Sequence, residues 1–527
     1  MRPLEELTLA ALLHRTAAAC PQCDAVWYKG RIWSYSRLER ETGHTAAQLL
    51  ALGVQKGDHV ALWGELDPEM LTAFYAVQCI GGVAVMLNTS LGQEELTPLL
   101  EAADARFFLV GRSYKASRSL EELAGRMVLP ACVEACLSIG PEGIAGCRSL
   151  RALPPAPAQA VRQAEQAVTP QDTAVILFTS GSTGRPKAVM SSHYSRVNSG
   201  IQQAHDLRAC RADRFCVTMP MFHCFCISVN LIASLAVGAC LCIPADRHTA
   251  SITDTVERCG CTILSSVPTM YYALIGKKEF VPQRLATLRT GIIGGAYYPP
   301  EDFVRIDRAI GPQFTLLSSL GQTETTAGMT VSRLEDSIEV RSRTVGHFMD
   351  HVEGRIVDLK TGRTLPAGQR GEICVRGYLA MQGYYKDAEQ TRRTLDAGGW
   401  VHTGDLGVLD EQGNLTLKGR IKELIIRGGE NISPCEIETM LQLLPQVAGC
   451  KVVGVPDPHY GEEICACIQR APGVSLEESE VKRHLLLHLA DYKMPRYILF
   501  WPDLPKTATG KLNPAACKAA ACAQLGL

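Results

Sequence analysis

"VILFTSGSTGRPKAVM", Val175 to Met190, sets an apolar run against a burst of hydroxyls and glycines that closes on a Pro-Lys pair. Its centre, "TSGSTGRPK", holds four hydroxyls, two glycines and two cations. Glycines let successive backbone N–H groups converge on one point and hydroxyls add donors, so such a loop suits phosphate. It is not a Walker loop: Lys187 is followed by Ala188 instead of Ser or Thr, and "KAVMSSH" alternates like a strand where a helix should open. The expectation is a phosphate clamp between two strands, with an ordinary Gly/Ser hairpin turn as the blander alternative.

The surrounding chain tells what kind of fold holds the loop. Apolar runs such as "HVALWG" (His59 to Gly64), "GGVAVML" (Gly81 to Leu87) and "RFFLVG" (Arg106 to Gly111) alternate with helix-period segments such as Glu65 to Ile80. That alternation predicts α/β layers with mainly parallel sheets. Arg151 to Asp172, rich in Pro, Ala and Gln, reads as a surface connection, and a second α/β stretch follows to about Leu320. Turn signals between Val352 and Lys418 predict a smaller β-rich unit, and a further αβ module follows Gly419 and Arg420. At 527 residues the chain is too long for one ordinary core.

Composition excludes several classes. A net charge of −1 gives no electrostatic reason for a nucleic-acid partner. Glu5, Glu6, His14 and Arg15 interrupt the N-terminal apolar run where a signal peptide needs continuity, so an amphipathic helix and a cytoplasmic location are expected. The 21 cysteines are scattered through apolar runs, as reduced thiols are, and the Cys20/Cys23 pair has no second pair at zinc-site spacing. Phe215 to Ala245 is long and apolar enough for a membrane check, but Pro220, Asn230, Gly238 and Pro244 break it into a loop, a helix near Ile227 to Val237 and a strand around Cys240 to Ile243. No transmembrane segment is expected; peripheral membrane contact and oligomeric state stay open.

Four further stretches carry chemistry. "SSLGQTETT", Ser318 to Thr326, follows the apolar "FTLL" where a strand should end, and Glu324 beside Thr323 and Thr325 is hard-oxygen chemistry suited to Mg²⁺. In "GGWVHTGDLG", Asp405 at a Thr-Gly-Asp turn offers a carboxylate to a vicinal diol such as ribose, or merely stabilises its own turn. "GRIKELIIRGGENISPCEIE", Gly419 to Glu438, fits a hinge and binding loop before a helix opened by Ser433 and Pro434, or equally a plain linker. "LPKTATGKL" presents Lys511 on a Pro/Gly-bounded loop.

Taken in order, "TSGSTGRPK", "GQTE", "TGD", "GRIKELIIRGGENI" and "PKTATGK" resemble the adenylate-forming superfamily of acyl- and aryl-CoA synthetases, adenylation domains and beetle luciferases. "IRGGENISPCEIE" and "VVGVPDPHYGEEICACI" are most similar to medium-chain fatty acyl-CoA synthetases. The resemblance implies a large N-terminal domain over 1–420, with layered α/β subdomains and a small distorted β-barrel at about 325–418. A small mobile α+β domain over 421–527 would carry the catalytic lysine. It implies an ATP-dependent carboxylic acid–CoA ligase using Mg²⁺, which forms acyl-AMP and pyrophosphate and then acyl-CoA, on a medium-chain acid.

Carried over by position, Thr179, Ser180, Gly181, Ser182, Thr183, Gly184 and Lys187 would hold the β- and γ-phosphates, with Gly321 and Gln322 also at the nucleotide. Thr323 would sit near the α-phosphate, Glu324 would ligate Mg²⁺, and Asp405 and Arg420 would take the ribose. Lys511 would bridge the acyl carboxylate and the α-phosphate; Lys422 would be the hinge; Gly428, Gly429 and Glu430 would meet coenzyme A. Phe222, His223, Gly294, Gly295, Ala296 and Leu320 would line the acyl pocket, although a packed core histidine is the plain alternative for His223. The chain departs from the family pattern at Leu320, where a Tyr often packs on adenine, at Ala188, where Gly is frequent, and at Tyr297 and Tyr298, where smaller residues are common. Two rival expectations are a stand-alone enzyme loading an aryl or amino acid onto a carrier protein, and a non-catalytic nucleotide-binding relative. Absence of a carrier domain after Leu512 speaks against the first, and retention of Glu324, Asp405 and Lys511 against the second.

Overall fold

The computed structural model describes the chain except residues 1, 92, 113–127, 141–146, 180–185, 278–279, 297, 428–429, 459, 490–492 and 508–511, and the side chains of 93, 430 and 431. The chain divides into two compact units, the first comprising residues 1–297, 301–354 and 375–402, the second 298–300, 355–374 and 403–527. Compactness therefore divides the chain near 403, earlier than the boundary expected at 420.

The first unit holds two sheets. In one of eight strands, the parallel strands Thr173–Thr179, Val83–Met86, His59–Trp63, Phe107–Val110, Ala135–Ser138 and Arg148–Ser149 lie in that order. Lys187–Ser192 returns antiparallel beside Thr173–Thr179, and the short strand Gly383–Tyr384 closes the edge. The other sheet has nine strands, and its parallel centre runs Thr315–Gln322, Thr290–Ile293, Ile263–Ser265, Arg214–Val217, Cys240–Ile243 and Asp24–Tyr28. The layered, mainly parallel arrangement expected from the alternating pattern is present.

Helices cover these sheets for identifiable reasons. Pro68–Cys79 starts at Asp67, whose carboxylate accepts the Met70 N–H at 2.8 Å, and Pro68 occupies the first turn where its missing N–H costs nothing. Eleven of its twelve residues are buried, including Phe74, Tyr75 and Val77, as an all-round apolar helix should be. Each such large apolar side chain contributes about 1.5–3 kcal/mol on burial. The N-terminal segment forms the expected helix, Leu9–Ala19, capped by Thr8. The long apolar stretch resolves into the strand Arg214–Val217, a π-helical segment Cys226–Ile232, the helix Ala233–Val237 and the strand Cys240–Ile243. Among the described residues no helix is long and apolar enough to cross a membrane.

Three local expectations are corrected. The strand beginning at Thr315 does not stop after "FTLL" but continues to Gln322, because Ala327–Val331 folds back on it antiparallel and satisfies its backbone. Ala327–Val331 and His347–Phe348 extend the nine-stranded sheet, so the β-rich part expected from about 325 begins only at Val352. Ser433 precedes the helix Pro434–Gln442 as expected, yet its hydroxyl donates to the Lys418 carbonyl at 2.8 Å and caps no helix N–H.

The second unit contains most of a four-stranded sheet and a five-stranded one built on the long hairpin Val447–Asp457 and Gly461–Arg470. Tyr497–Trp501 joins that hairpin in parallel, and helices Pro434–Gln442, Glu478–Leu486 and Pro514–Leu525 complete the αβ module.

Candidate active site

Three segments follow the carboxyl ends of parallel strands in the nine-stranded sheet, the edge where open α/β sheets bind ligands. "PMFHCF" comes after Arg214–Val217, Gly294 to Ala296 after Thr290–Ile293, and the turn Thr323–Thr325 after Thr315–Gln322. Phe222 and His223 stand with ring centres 4.6 Å apart, and the Thr323 hydroxyl meets the Cys224 thiol at 3.9 Å. A Cβ on Gly294 would lie 2.8 Å from the Ser319 carbonyl oxygen and 3.8 Å from the Phe225 ring. The structure thus brings Gly294 against Ser319, which precedes Leu320, and against Phe225 of the segment that carries Phe222 and His223, while Gly295 and Ala296 are exposed. Tyr297 lies outside the described residues.

The Thr-Glu turn is rigidly made. Gln322 accepts the Thr325 N–H while the Thr325 hydroxyl accepts that of Gln322, at 3.2 Å for the latter. Gly321 cannot carry a side chain, since a Cβ there would stand 1.7 Å from the Ala327 carbonyl oxygen. Thr326 adopts a left-handed backbone, φ +62°, and its carbonyl accepts from Ser228 at 3.1 Å and from Arg196 at 2.9 Å. Arg196 is fully buried and also donates to Ser191 Oγ at 2.8 Å.

The glycine hairpin meets this turn through a residue that sequence reasoning missed. Thr179 faces Lys187 across the hairpin; Ser180, Gly181, Ser182, Thr183 and Gly184 lie outside the described residues. Lys187 Nζ donates to Gln390 Oε1 at 3.0 Å and stands 4.7 Å from the centre of the Tyr384 ring. The Tyr384 hydroxyl donates to Glu324 Oε1 at 2.8 Å. Burial, then the adjacent Glu324 carboxylate, push the Tyr384 phenol far above its usual range, so it remains a donor at neutral pH. Strand pairing of Gly383–Tyr384 with Val189 and Met190, and a 2.9 Å bond from the Met381 N–H to the Glu324 carbonyl, fix this bridge. The signal was visible as the aromatic pair in "GYY", but nothing in spacing connected it to Glu324.

In the second unit, Asp405 is not on an open turn as expected. It lies within the strand Val401–Leu409, directly opposite Arg420 on Leu415–Arg420, and is 2% exposed. Arg420 Nε donates to its Oδ1 at 2.8 Å, and Gly404, at φ +71°, bends the strand so that its N–H reaches Glu372 Oε1 at 3.0 Å. The expected ribose pair is thus a preformed charge-assisted pair. Lys422 is exposed in the short turn Ile421–Glu423. Ile425–Arg427 pairs with the backbone of Glu430–Ile432; Gly428, Gly429, the Glu430 side chain and Lys511 lie outside the described residues.

A carboxylate held by a phenol at the carboxyl edge of a parallel sheet, next to a strand pair whose second strand opens at a lysine, suits hard-oxygen and polyphosphate chemistry. The fold is shared with ligases that activate carboxylic acids as adenylates. The pattern of the AMP-binding enzyme family matches residues 13–385, and that of the AMP-binding enzyme C-terminal domain residues 436–511. The chain is 35% identical to YngI of Bacillus subtilis (strain 168), named as an acyl-CoA synthetase, covering 97% of each. It is 30% identical to the mitochondrial medium-chain acyl-CoA ligase ACSF2 of Danio rerio, covering 100% of this chain and 90% of that one. ATP-bound MatB from Rhodopseudomonas palustris superposes with a TM-score of 0.83 at 28% identity, covering 98% of this chain and 99% of that one. The chain belongs to the AMP-binding enzyme family and is an AMP-forming acyl-CoA ligase that works with ATP, Mg²⁺ and coenzyme A.

Proposed function

We infer that the enzyme converts a medium-chain fatty acid to its coenzyme A thioester in the cytoplasm. The chain-length reading rests on the wording of the Gly428 and Val452 motifs, on the apolar segment around Phe222 and on the relative named for medium-chain acids. The cytoplasmic reading rests on the 21 cysteines, all free and scattered through apolar runs as reduced thiols are.

In the first half-reaction a carboxylate oxygen attacks the α-phosphorus and the bond from that phosphorus to pyrophosphate breaks. Two anions approach, so fixed positive charge and donors must face the charge that develops. Thr179 to Gly184 and Lys187 hold the β- and γ-phosphates, Gly321, Gln322 and Thr323 approach the α-phosphate, and Asp405 with Arg420 takes the ribose. The Glu324 carboxylate, with Oε1 held by Tyr384, fits Mg²⁺ through its remaining oxygen; the ion would neutralise phosphate charge. Lys511 joins the acyl carboxylate to the α-phosphate. In the second half-reaction the thiol of coenzyme A loses its proton and attacks the acyl carbonyl, and AMP leaves.

Because Lys511 serves only the first step, the module over 421–527 turns about Lys422, withdrawing Lys511 and presenting Gly428, Gly429 and Glu430 to the pantetheine arm. Phe222, His223, Gly294, Gly295, Ala296 and Leu320 bound the acyl group. The observation that best supports these assignments is the Lys187–Tyr384–Glu324 bridge, which ties the phosphate hairpin to the metal-binding carboxylate.

The decisive experiment is ATP-dependent pyrophosphate release across aliphatic acids from acetate to palmitate, with aryl and amino acids, each with and without coenzyme A. Turnover peaking at mid-length acids and rising with coenzyme A supports the reading; a peak on aryl or amino acids overturns it. Lys511→Ala should abolish adenylation and spare thioester formation from synthetic acyl-AMP, and equal loss in both would contradict the two-conformation account.

A further inference from the structure

Five cysteines distant in sequence meet on one face of the nine-stranded sheet. Cys216 and Cys242 are register partners on neighbouring parallel strands, and Cys240 shares the face, its Sγ 3.9 Å from that of Cys242. The helix Thr249–Cys259 packs over these strands. It ends at Gly260, φ +61°, whose left-handed turn sends Cys259 and Cys261 back towards the same thiols. The sulfurs of Cys242, Cys259 and Cys261 lie within 4.8 Å of one another, and Cys216 stands beside Cys242 as its register partner on the adjoining strand. Cys216, Cys242 and Cys261 are fully buried, whereas Cys259 is partly exposed and gives access.

We propose that Cys216, Cys242, Cys259 and Cys261 form a four-sulfur zinc site, unrelated to the Mg²⁺ of the ligase reaction. Four-coordinate thiolate zinc has bonds of about 2.3 Å, which places neighbouring sulfurs roughly 3.8 Å apart, so the sulfurs of Cys242, Cys259 and Cys261 close on the ion with shifts of about an ångström, and Cys216 supplies the fourth from the strand beside Cys242. Sequence spacing hid it, because the ligands come from two strands and a helix end instead of paired short loops.

Electrostatics around the cluster suit metal thiolates better than neutral thiols. Zn²⁺ with four thiolates carries a net charge of about −2. Arg214 lies within electrostatic reach of Cys240, Cys242 and Cys259; one guanidinium nitrogen binds Asp24 at 3.0 Å, but its buried Nε–H has no hydrogen-bond partner among the described residues. Such a donor is costly beside neutral groups, and an anionic cluster offsets that cost. Cys259 and Cys261 precede the strand Ile263–Ser265, so they reach the sheet from its amino edge, opposite the edge that carries the Thr-Glu turn.

The test is elemental analysis of the full-length enzyme expressed with zinc and purified in a reductant. About one zinc per chain, retained through dialysis and lost in both Cys259→Ser and Cys261→Ser, is the expected result. Because a buried serine can disturb folding, wild-type enzyme produced with Co²⁺ supplies a second readout: a thiolate-to-cobalt charge-transfer band with tetrahedral d–d bands. Metal-free protein whose Cys259 alkylates at the same rate with and without zinc would overturn the site, as would zinc content unchanged in the two variants.

Discussion

Tyr384 donates its hydroxyl to Glu324 from 60 residues further along the chain, while its ring carries the Lys187 ammonium 4.7 Å from its centre. One side chain thereby orients both the Glu324 carboxylate proposed to hold Mg²⁺ and the Lys187 cation proposed to hold phosphate. Tyr384→Phe keeps the ring and removes the hydroxyl. The magnesium concentration for half-maximal pyrophosphate release should rise about tenfold or more, as when groups supporting a metal ligand are lost. An unchanged magnesium dependence would show that Glu324 does not need this support.

Arg196 has no carboxylate among its hydrogen-bond partners; it holds Ser191 and the Thr326 carbonyl, and burial brings its pKa down to about 10, so it is a cation at neutral pH. Arg196→Met should release the Thr326 carbonyl behind the Thr-Glu turn. The expected loss in kcat for ATP–pyrophosphate exchange is about 10–100-fold, the equivalent of one or two charge-assisted hydrogen bonds, with near-ultraviolet circular dichroism retained.

Asp405 and Arg420 differ in exposure and should differ in consequence. Asp405→Ala leaves Arg420 without its partner and removes the diol acceptor, and KM for ATP should rise about 10–100-fold. Arg420→Ala, at a guanidinium 60% exposed, should cost less and show a weaker effect at high salt. Initial rates against ATP concentration at two ionic strengths separate the two.

How much of this was legible beforehand follows from what each feature depends on. The parallel sheets were, because buried strands such as Val83–Met86 and Phe107–Val110 are continuous apolar runs. So were Glu324 and Asp405 as carboxylates at special positions. The strand around Asp405 was not, because its Thr-Gly-Asp reads as a turn until the partner strand ending at Arg420 is known. Tyr384, Arg196 and Cys224 were invisible for a related reason. Their roles come from contacts across 60, 130 and 99 residues, and no local period encodes those.

His14 links the first helix to two acids, with Nδ1 2.6 Å from Glu39 and Nε2 2.8 Å from Glu165. The hydrogen bond to Glu165, assisted by Glu39 and opposed by partial burial, raises its pKa from 6.5 to about 9. A raised folded-state value means the stabilisation is full below about pH 6.5 and is lost as pH rises through about 9. His14→Gln should therefore lower Tm by about 1–2 °C at pH 6 and leave it unchanged at pH 10, a modest effect because the pair is partly exposed.

Gly321→Ala places a methyl group on the Ala327 carbonyl, where the backbone has no freedom to retreat. The variant should express poorly or show a Tm several degrees lower with pyrophosphate release abolished, by thermal melting and initial-rate assay; a stable, active protein would mean the turn can be rebuilt.

The contact between Cys224 and Thr323 also has a practical side. Phe222 and His223 belong to a segment after one strand, whereas Lys187, Tyr384 and Glu324 are braced by another sheet's edge. On the proposed assignment of the acyl pocket, a laboratory redesigning the enzyme for a bulkier acid can therefore vary Phe222 and Phe225 in combination while leaving Cys224 as the fixed point of the library, since a larger residue there would press on the Thr323 hydroxyl.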